Sequence, residues 1–233
     1  MAKLFDSYTI FARIFPSIIS SLPLLLLWYS LSENVQLTKL ISFLLSIKFF
    51  GAISITVIFL YFYAQLIRIT SKYFENKYFI KNKGFPTTYL MTYENDAYSE
   101  VYKDQYREFV RKNFNLELLS KNEEKSNIIE ARKRLNETTK LIILKIRDGV
   151  LVKKHNIWYG FFRNLIGGSI YSIIFCLLNV FVSHFLLKNL TLTIFSIVLL
   201  TMYLVVFLFR NTILKQNAEA YAKQIISEFF SIN

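Results

Sequence analysis

Residues 165–187 read LIGGSIYSIIFCLLNVFVSHFLL, and this stretch decides how the rest of the chain is interpreted. It contains no Asp, Glu, Lys or Arg, and about 20 mostly apolar residues suffice for a helix to cross a bilayer. Its small polar residues recur at steps of three and four, which places them on one face of a helix. These residues are Ser169, Ser172, Cys176, Asn179 and Ser183. We therefore predict a membrane-spanning helix with a single polar stripe.

The polar stripe has two interpretations, because lipid cannot satisfy polar groups and the stripe must face water or protein. In the first, the stripe lines a pore and Asn179 forms a constriction. In the second, its small side chains let a neighbouring helix approach closely. Gly168, Ser172 and Cys176 form a series of small residues four apart, which is typical of such packing. The two interpretations are compatible in an oligomer, and the sequence leaves both open.

Three further stretches are long and apolar enough to span a membrane, namely 8–30, 40–67 and 190–209. Pro16 and Pro23 are predicted to kink or divide the first, and they argue against a cleaved signal peptide there. Lys48 interrupts the second. Its long side chain can reach the membrane surface, or it can contribute a charged ring to a pore. We include Lys48 among the predicted pore-lining residues.

The composition fits a membrane protein with a cationic side. Of 233 residues, 54% are hydrophobic, and 28 Lys and Arg stand against 16 Asp and Glu. Residues 68–163 alone hold 20 basic and 12 acidic residues. Since basic loops favour the cytoplasmic side, we expect a multi-pass protein of the bacterial inner membrane with both termini in the cytoplasm.

The predicted fold class is an all-α integral membrane protein. Four transmembrane helices in two pairs flank a mainly helical cytoplasmic domain. The predicted boundaries are a first helix pair at 1–67, the basic domain at 68–163, a second pair at 164–210 and a carboxyl-terminal helix at 211–233.

Local patterns divide the basic domain. A helix over 68–82 continues the second span, and the Gly and Pro near 84–86 end it. β-branched and aromatic residues favour a short strand over 87–93. Helices follow over 97–114, capped by Asn95 or Asp96, and from about 122 or 127 to 147.

The basic side chains of this domain have two interpretations: attraction to anionic lipid headgroups, or binding of a cytoplasmic polyanion. Aromatic residues are interleaved with them, and cationic grooves with aromatic rings bind single-stranded nucleic acid without reading its sequence. The predicted ligand-binding residues are Lys72, Lys77, Lys81, Lys83, Arg107, Arg111, Lys112, Arg132, Lys133, Arg134, Lys153 and Lys154.

Catalytic chemistry is not indicated anywhere in the chain. One Cys and two His residues exclude a Cys-rich zinc site and an intramolecular disulfide. There is no phosphate-binding loop, nucleophile elbow or metal-spaced cluster. We expect a protein that is not an enzyme and uses neither a cofactor nor a metal.

Two stretches carry a resemblance to a known family: Gly84-Phe85-Pro86-Thr87-Thr88-Tyr89-Leu90-Met91 and Arg163-Asn164-Leu165-Ile166-Gly167-Gly168-Ser169. Together with paired helices around a basic domain, they resemble the membrane effector of Hailong-type anti-phage defence systems. The resemblance implies a homotetrameric inner-membrane ion channel. Single-stranded DNA oligomers made by a partner nucleotidyltransferase would hold it closed. Loss of the oligomer would open the channel, depolarise the membrane and halt an infected cell.

The sequence therefore predicts an oligomeric ion channel gated by a cytoplasmic anionic ligand. Its expected partners are membrane lipid, further copies of the chain and an oligonucleotide. The alternative is a membrane-anchored scaffold or binding protein that conducts nothing. A secondary transporter is a weaker alternative, because the spans are few and paired broken helices with buried charges are not evident.

Overall fold

The structure is a computed structural model that describes residues 6–32, 49–81 and 83–231. Helices make up 86% of it, and the described residues contain no strand. The prediction of an all-helical protein is confirmed. In chain order the helices are α1 Phe15–Ser32, α2 Phe49–Lys81, α3 Pro86–Tyr89, α4 Glu100–Phe114, α5 Lys121–Ser126, α6 Ile128–Ile146, α7 Val150–Phe181, α8 Leu190–Leu208 and α9 Arg210–Phe230.

Three helical stretches of the described residues are long and apolar enough to cross a membrane. They are Thr9–Leu31, Val150–Leu186 and Leu190–Leu208. This finding indicates a membrane protein. The predicted second span, 40–67, begins outside the described residues, and Lys48 lies outside them as well. Four spans in two pairs therefore remain a prediction.

Two compact units divide the chain. The first holds Met1–Glu75 and Gly160–Ile213, and the second holds Asn76–Tyr159 and Leu214–Asn233. The first unit therefore contains all three stretches of membrane-spanning character apart from the amino-terminal turns of α7. The carboxyl-terminal helix α9, which we predicted as a separate element, contributes most of its length to the second unit.

The core of the second unit is apolar and aromatic. Tyr106 and Val110 of α4, Leu135 of α6 and Phe229 of α9 are almost fully buried together. The Phe229 ring lies edge-on to Phe109, with 5.0 Å between centroids. Removing a buried aromatic side chain of this kind costs about 3–5 kcal/mol. This packing holds α9 against α4 and α6.

Polar caps fix where the helices of the second unit begin. The Glu123 carboxylate accepts from the Ser120 backbone N–H at 2.8 Å and forms a capping box at the start of α5. Asn127 caps α6 by accepting from the Glu130 N–H. The cap of α4 is Ser99, whose hydroxyl accepts from Tyr102. Our assignment of this cap to Asn95 or Asp96 was therefore wrong.

The strand predicted over 87–93 was also wrong. Lys83 and Gly84 both adopt positive φ and turn the chain after α2. Pro86 then begins the short helix α3, because its fixed φ suits a first helical position. The carbonyls that a strand would offer to a neighbour are bound by side chains instead, Thr87 by Thr139 and Met91 by Arg107.

Candidate functional site: a buried polar seam and a lysine cleft

The polar stripe predicted from the sequence lies in the first unit and is fully buried. Each of its five residues has 0% exposed surface in the single chain. Its longer polar side chains donate to the backbone of α1. Ser172 Oγ donates to the Ser20 carbonyl at 2.9 Å, and Asn179 Nδ2 donates to the Pro23 carbonyl at 2.6 Å. This is the arrangement that the packing interpretation describes.

Pro23 leaves one further carbonyl of α1 without a helical donor. It lies inside the helix and has no N–H, so the Ile19 carbonyl four residues earlier has no helical partner. The Tyr203 hydroxyl of α8 donates to that carbonyl at 2.6 Å. Tyr63 of α2 donates to the adjacent Ser20 carbonyl at 3.0 Å.

We call this set of hydrogen bonds the Pro23 node; its acceptors are the carbonyls of Ile19, Ser20 and Pro23, and its donors are Tyr63, Ser172, Asn179 and Tyr203. Helices α2, α7 and α8 all bind α1 there.

A second proline leaves a similar gap near the start of α1. Pro16 cannot donate to the Ala12 carbonyl, and Asn164 Nδ2 of α7 donates to it instead. Asn164 has 1% of its surface exposed. Both prolines of α1 are therefore matched by polar side chains from helices that follow more than 130 residues later in sequence.

The stretch 163–169 that carries the family resemblance has a packing role at every polar or glycine position. Arg163 pairs with Glu75 of α2, with 3.3 Å between Nη1 and Oε1, and both side chains are about nine-tenths buried. A Cβ added to Gly167 would lie 2.7 Å from the Ser71 backbone nitrogen and 2.8 Å from the Ile67 carbonyl oxygen. Only a glycine lets α7 approach the α2 backbone so closely.

The second unit holds a cleft of about 370 Å³, which we call the lysine cleft. It brings two predicted ligand-binding residues, Lys81 and Lys83, together with residues that sequence reasoning did not select. Its full lining is Tyr78, Phe79, Lys81, Lys83, Gly84, Pro86, Tyr89, Leu90, Asn95, Lys215 and Glu219. The cleft thus combines three lysines, one glutamate and two tyrosine rings.

Charge within the lysine cleft is only partly neutralised. Lys83 pairs with Glu94, and this hydrogen bond raises the pKa of Lys83 and lowers that of Glu94. Lys215 lies 3.8 Å from Glu219. Lys81 is exposed and has no ion pair within the described residues. The arrangement suits an anionic group with an apolar or aromatic group beside it.

Nothing in sequence spacing placed Lys215 in the cleft, because it lies on α9, more than 120 residues after Gly84. Tyr89 was visible as part of the stretch 84–91, but only the turn at Lys83 and Gly84 brings its ring to the cleft. The Lys83 ammonium lies 5.8 Å from the centre of that ring.

Several other predicted ligand-binding residues are engaged inside the protein. Arg107 pairs with Glu124 at 2.8 Å, and the two side chains are 10% and 2% exposed. Its guanidinium also lies 4.0 Å from the centre of the Tyr93 ring. Burial raises the pKa of Tyr93 to about 12, and the hydrogen bond to Asp104 adds to this effect. Arg107 therefore positions the segment after α3.

The remaining predicted ligand-binding residues separate into two groups. Three take part in surface ion pairs, Lys112 with Glu108, Arg132 with Glu94 and Arg134 with Glu130. Exposed side chains without an ion pair in the described part of the chain are Lys72, Arg111, Lys133, Lys153 and Lys154. Lys77 is exposed as well. The structure does not gather these residues into the lysine cleft.

The described residues contain no group of three or more His, Cys, Asp or Glu side chains that could hold a metal ion. No protein-family model, curated protein or solved structure matches the chain. The likeness to Hailong-type effectors therefore stays a prediction based on the two quoted stretches.

Proposed function

We propose that this chain is the protomer of an oligomeric ion channel in the bacterial inner membrane, gated by an anionic ligand in the cytoplasm. The observation that carries the proposal is the lysine cleft, found in a chain whose other unit holds helices of membrane-spanning length. The proposal includes four spans, cytoplasmic termini and a homotetramer, since one chain offers too few helices to enclose a hydrated pore.

The ligand class follows from the chemistry of the cleft. Lysines contribute point charges that suit phosphate groups, and tyrosine rings offer faces on which a base can stack. We propose a single-stranded DNA oligomer, supplied by a partner nucleotidyltransferase, in keeping with the Hailong-type resemblance. The function would then be anti-phage defence by depolarisation of the membrane. The proposal assigns no catalytic step and no cofactor to the chain.

A second candidate function is supported by one observation, the burial of the polar stripe. Its side chains are covered within a single chain, Asn179 by α1 and Ser183 by α8, as expected for a scaffold that conducts nothing. A pore lined by the stripe would require α1 to move away from α7.

The test measures potassium efflux from liposomes containing the purified full-length chain, with and without short single-stranded DNA on both faces. Lys81→Gln with Lys215→Gln removes two charges from the lysine cleft. Lys140→Gln with Lys223→Gln removes two exposed charges elsewhere and is the matched control. We expect DNA to change efflux in the wild type and in the control, but to have a weaker effect on the cleft variant. Efflux in no condition would contradict the channel and favour the scaffold; efflux indifferent to DNA would contradict the ligand.

A further inference from the structure

Helix α1 is divided at Pro23, and the two parts are joined by fewer helical hydrogen bonds than an uninterrupted helix would have. The missing N–H removes the bond to the Ile19 carbonyl, and proline is a common cause of helix kinks. The Tyr203 hydroxyl replaces that bond from another helix. The turn at Pro23 is therefore stabilised by a tertiary contact, which can be broken without unfolding α1.

The seam between α1 and α7 is also incompletely satisfied. Ser20 Oγ, Asn164 Oδ1 and Asn179 Oδ1 are buried and have no hydrogen-bond partner in the described part of the chain. Buried polar groups without partners cost free energy that contact with water would recover. Separation of α1 from α7 would expose all three, so the cost of separation is lower than for an apolar seam.

The face that α1 covers is the part of the polar stripe where Ser172 and Asn179 donate to its carbonyls, whereas Ser183 lies against Thr193 of α8. Apart from the stripe, the membrane segment of α7 exposes large apolar side chains such as Ile174, Leu177 and Phe181. Uncovering the stripe would therefore turn a wholly apolar surface into one with a line of polar groups, which must then face water.

From these observations we propose that α1 is a gate hinged at Pro23 and latched by Tyr203. The structure shows the closed state, in which α1 covers the polar stripe, and release of the latch uncovers it. The hinge and the latch are inferred from the hydrogen bonds of the Pro23 node alone. Only the consequence, that an uncovered stripe conducts ions, rests on the proposed function.

The native thiol of Cys176 reports release directly. Cys176 is the only cysteine of the chain, lies in the middle of the stripe and is fully buried. The rate at which N-ethylmaleimide modifies it in the purified full-length protein therefore follows the population in which α1 has separated. The readout does not require the protein to conduct ions.

The decisive variants are Tyr203→Phe, Pro23→Ala and the two combined. Tyr203→Phe leaves the Ile19 carbonyl without a donor and should raise the labelling rate about threefold, the effect of a typical hydrogen bond in a membrane protein. Pro23→Ala supplies the missing N–H, so the double variant should label at nearly the wild-type rate. Pro16→Ala restores an N–H in the same helix, but that N–H cannot donate to the Ile19 carbonyl. Combined with Tyr203→Phe, it should therefore leave the labelling rate as high as in Tyr203→Phe alone.

Rescue by Pro23→Ala distinguishes loss of the latch from other effects of losing the Tyr203 hydroxyl. The alanine restores a hydrogen-bond donor to the Ile19 carbonyl but does not change the surroundings of Cys176. Equal labelling rates in wild type and Tyr203→Phe would overturn the proposal. Rescue by Pro16→Ala as effective as rescue by Pro23→Ala would also overturn it. Potassium efflux measured on the same variants addresses the proposed function separately. Labelling that follows the latch without any efflux would leave the hinge in place and reject the channel.

Discussion

The buried pair of Arg163 and Glu75 allows the sharpest test of packing in the first unit. The perturbation is Arg163→Gln, which removes the cation and leaves the glutamate in place. The Glu75 side chain is only 8% exposed, so its charge would remain buried without the Arg163 cation. Loss of one member of a buried pair costs about 3–5 kcal/mol, most of it from the uncompensated charge.

For a chain of this size, such a loss corresponds to a fall of about 10 °C in the unfolding midpoint. The assay is thermal unfolding of the purified protein in detergent, followed by intrinsic fluorescence. Glu75→Gln should destabilise the protein similarly. The double variant should recover much of the loss, since neither charge then remains.

The matched control is Lys112→Gln, which breaks the pair with Glu108. That pair is shorter, at 2.9 Å, but its side chains are 67% and 53% exposed. We expect no measurable change in the midpoint, because exposed ion pairs contribute little. If Lys112→Gln were as destabilising as Arg163→Gln, or if the double variant showed additive losses, the reasoning from burial would be refuted.

Four further outcomes follow from the structure. Gly167→Ala should lower the unfolding midpoint strongly, because its Cβ would meet the Ser71 backbone nitrogen at 2.7 Å; a midpoint equal to that of the wild type would show that α2 and α7 are not so close. Asn179→Leu should destabilise the protein if the stripe is a packing face, whereas a pore-lining Asn179 would lose conductance with stability intact; midpoint and efflux measured together decide between them. The pKa of Glu94 lies below its ordinary value of 4.5, chiefly through the hydrogen bond from Lys83, so its carboxylate stabilises the fold above pH 4.5 and this contribution is lost as the pH falls through the lowered pKa. Unfolding midpoints between pH 3 and 7 should show wild type and Glu94→Gln converging at the acid end. Binding of single-stranded DNA, measured by fluorescence anisotropy, should weaken steeply as salt rises from 50 to about 200 mM, and binding that is independent of salt would rule out a phosphate-binding cleft.

Helical periodicity made the all-helical class and most helix positions of the second unit predictable. The apolar residues of α4 and α6 recur at helical spacing, and Ser120 with Glu123 marks a start. The failure over 87–93 has a local cause. β-branched and aromatic side chains favour a strand, but Pro86 fixes a helical first position and the core helices bind the carbonyls.

The polar stripe was predictable as a face, but its role was not. Spacing alone places Ser172 and Asn179 on one side of α7. It does not reveal that these two side chains donate to the Ser20 and Pro23 carbonyls of α1, about 150 residues earlier. The role of a polar residue in a membrane helix thus depends on which backbone groups of the neighbouring helices lie against it.

The lysine cleft shows the same limit for charged residues. A count of basic residues selects Arg107 and Lys81 equally. The structure separates them, because Arg107 is buried against Glu124 while Lys81 remains exposed beside the cleft. Lys215 joins the cleft through the packing of α9, which depends on contacts such as Phe229 with Phe109 that no local pattern encodes.

We propose that this protein conducts ions under the control of an anionic ligand. The most direct test is electrical recording from the purified full-length chain in a planar bilayer, with single-stranded DNA added to both faces. We expect discrete current steps whose open probability changes when DNA is added, with a smaller change in the variant that combines Lys81→Gln and Lys215→Gln. A bilayer that stays silent with and without DNA, while the same preparation is folded and binds DNA, would contradict it.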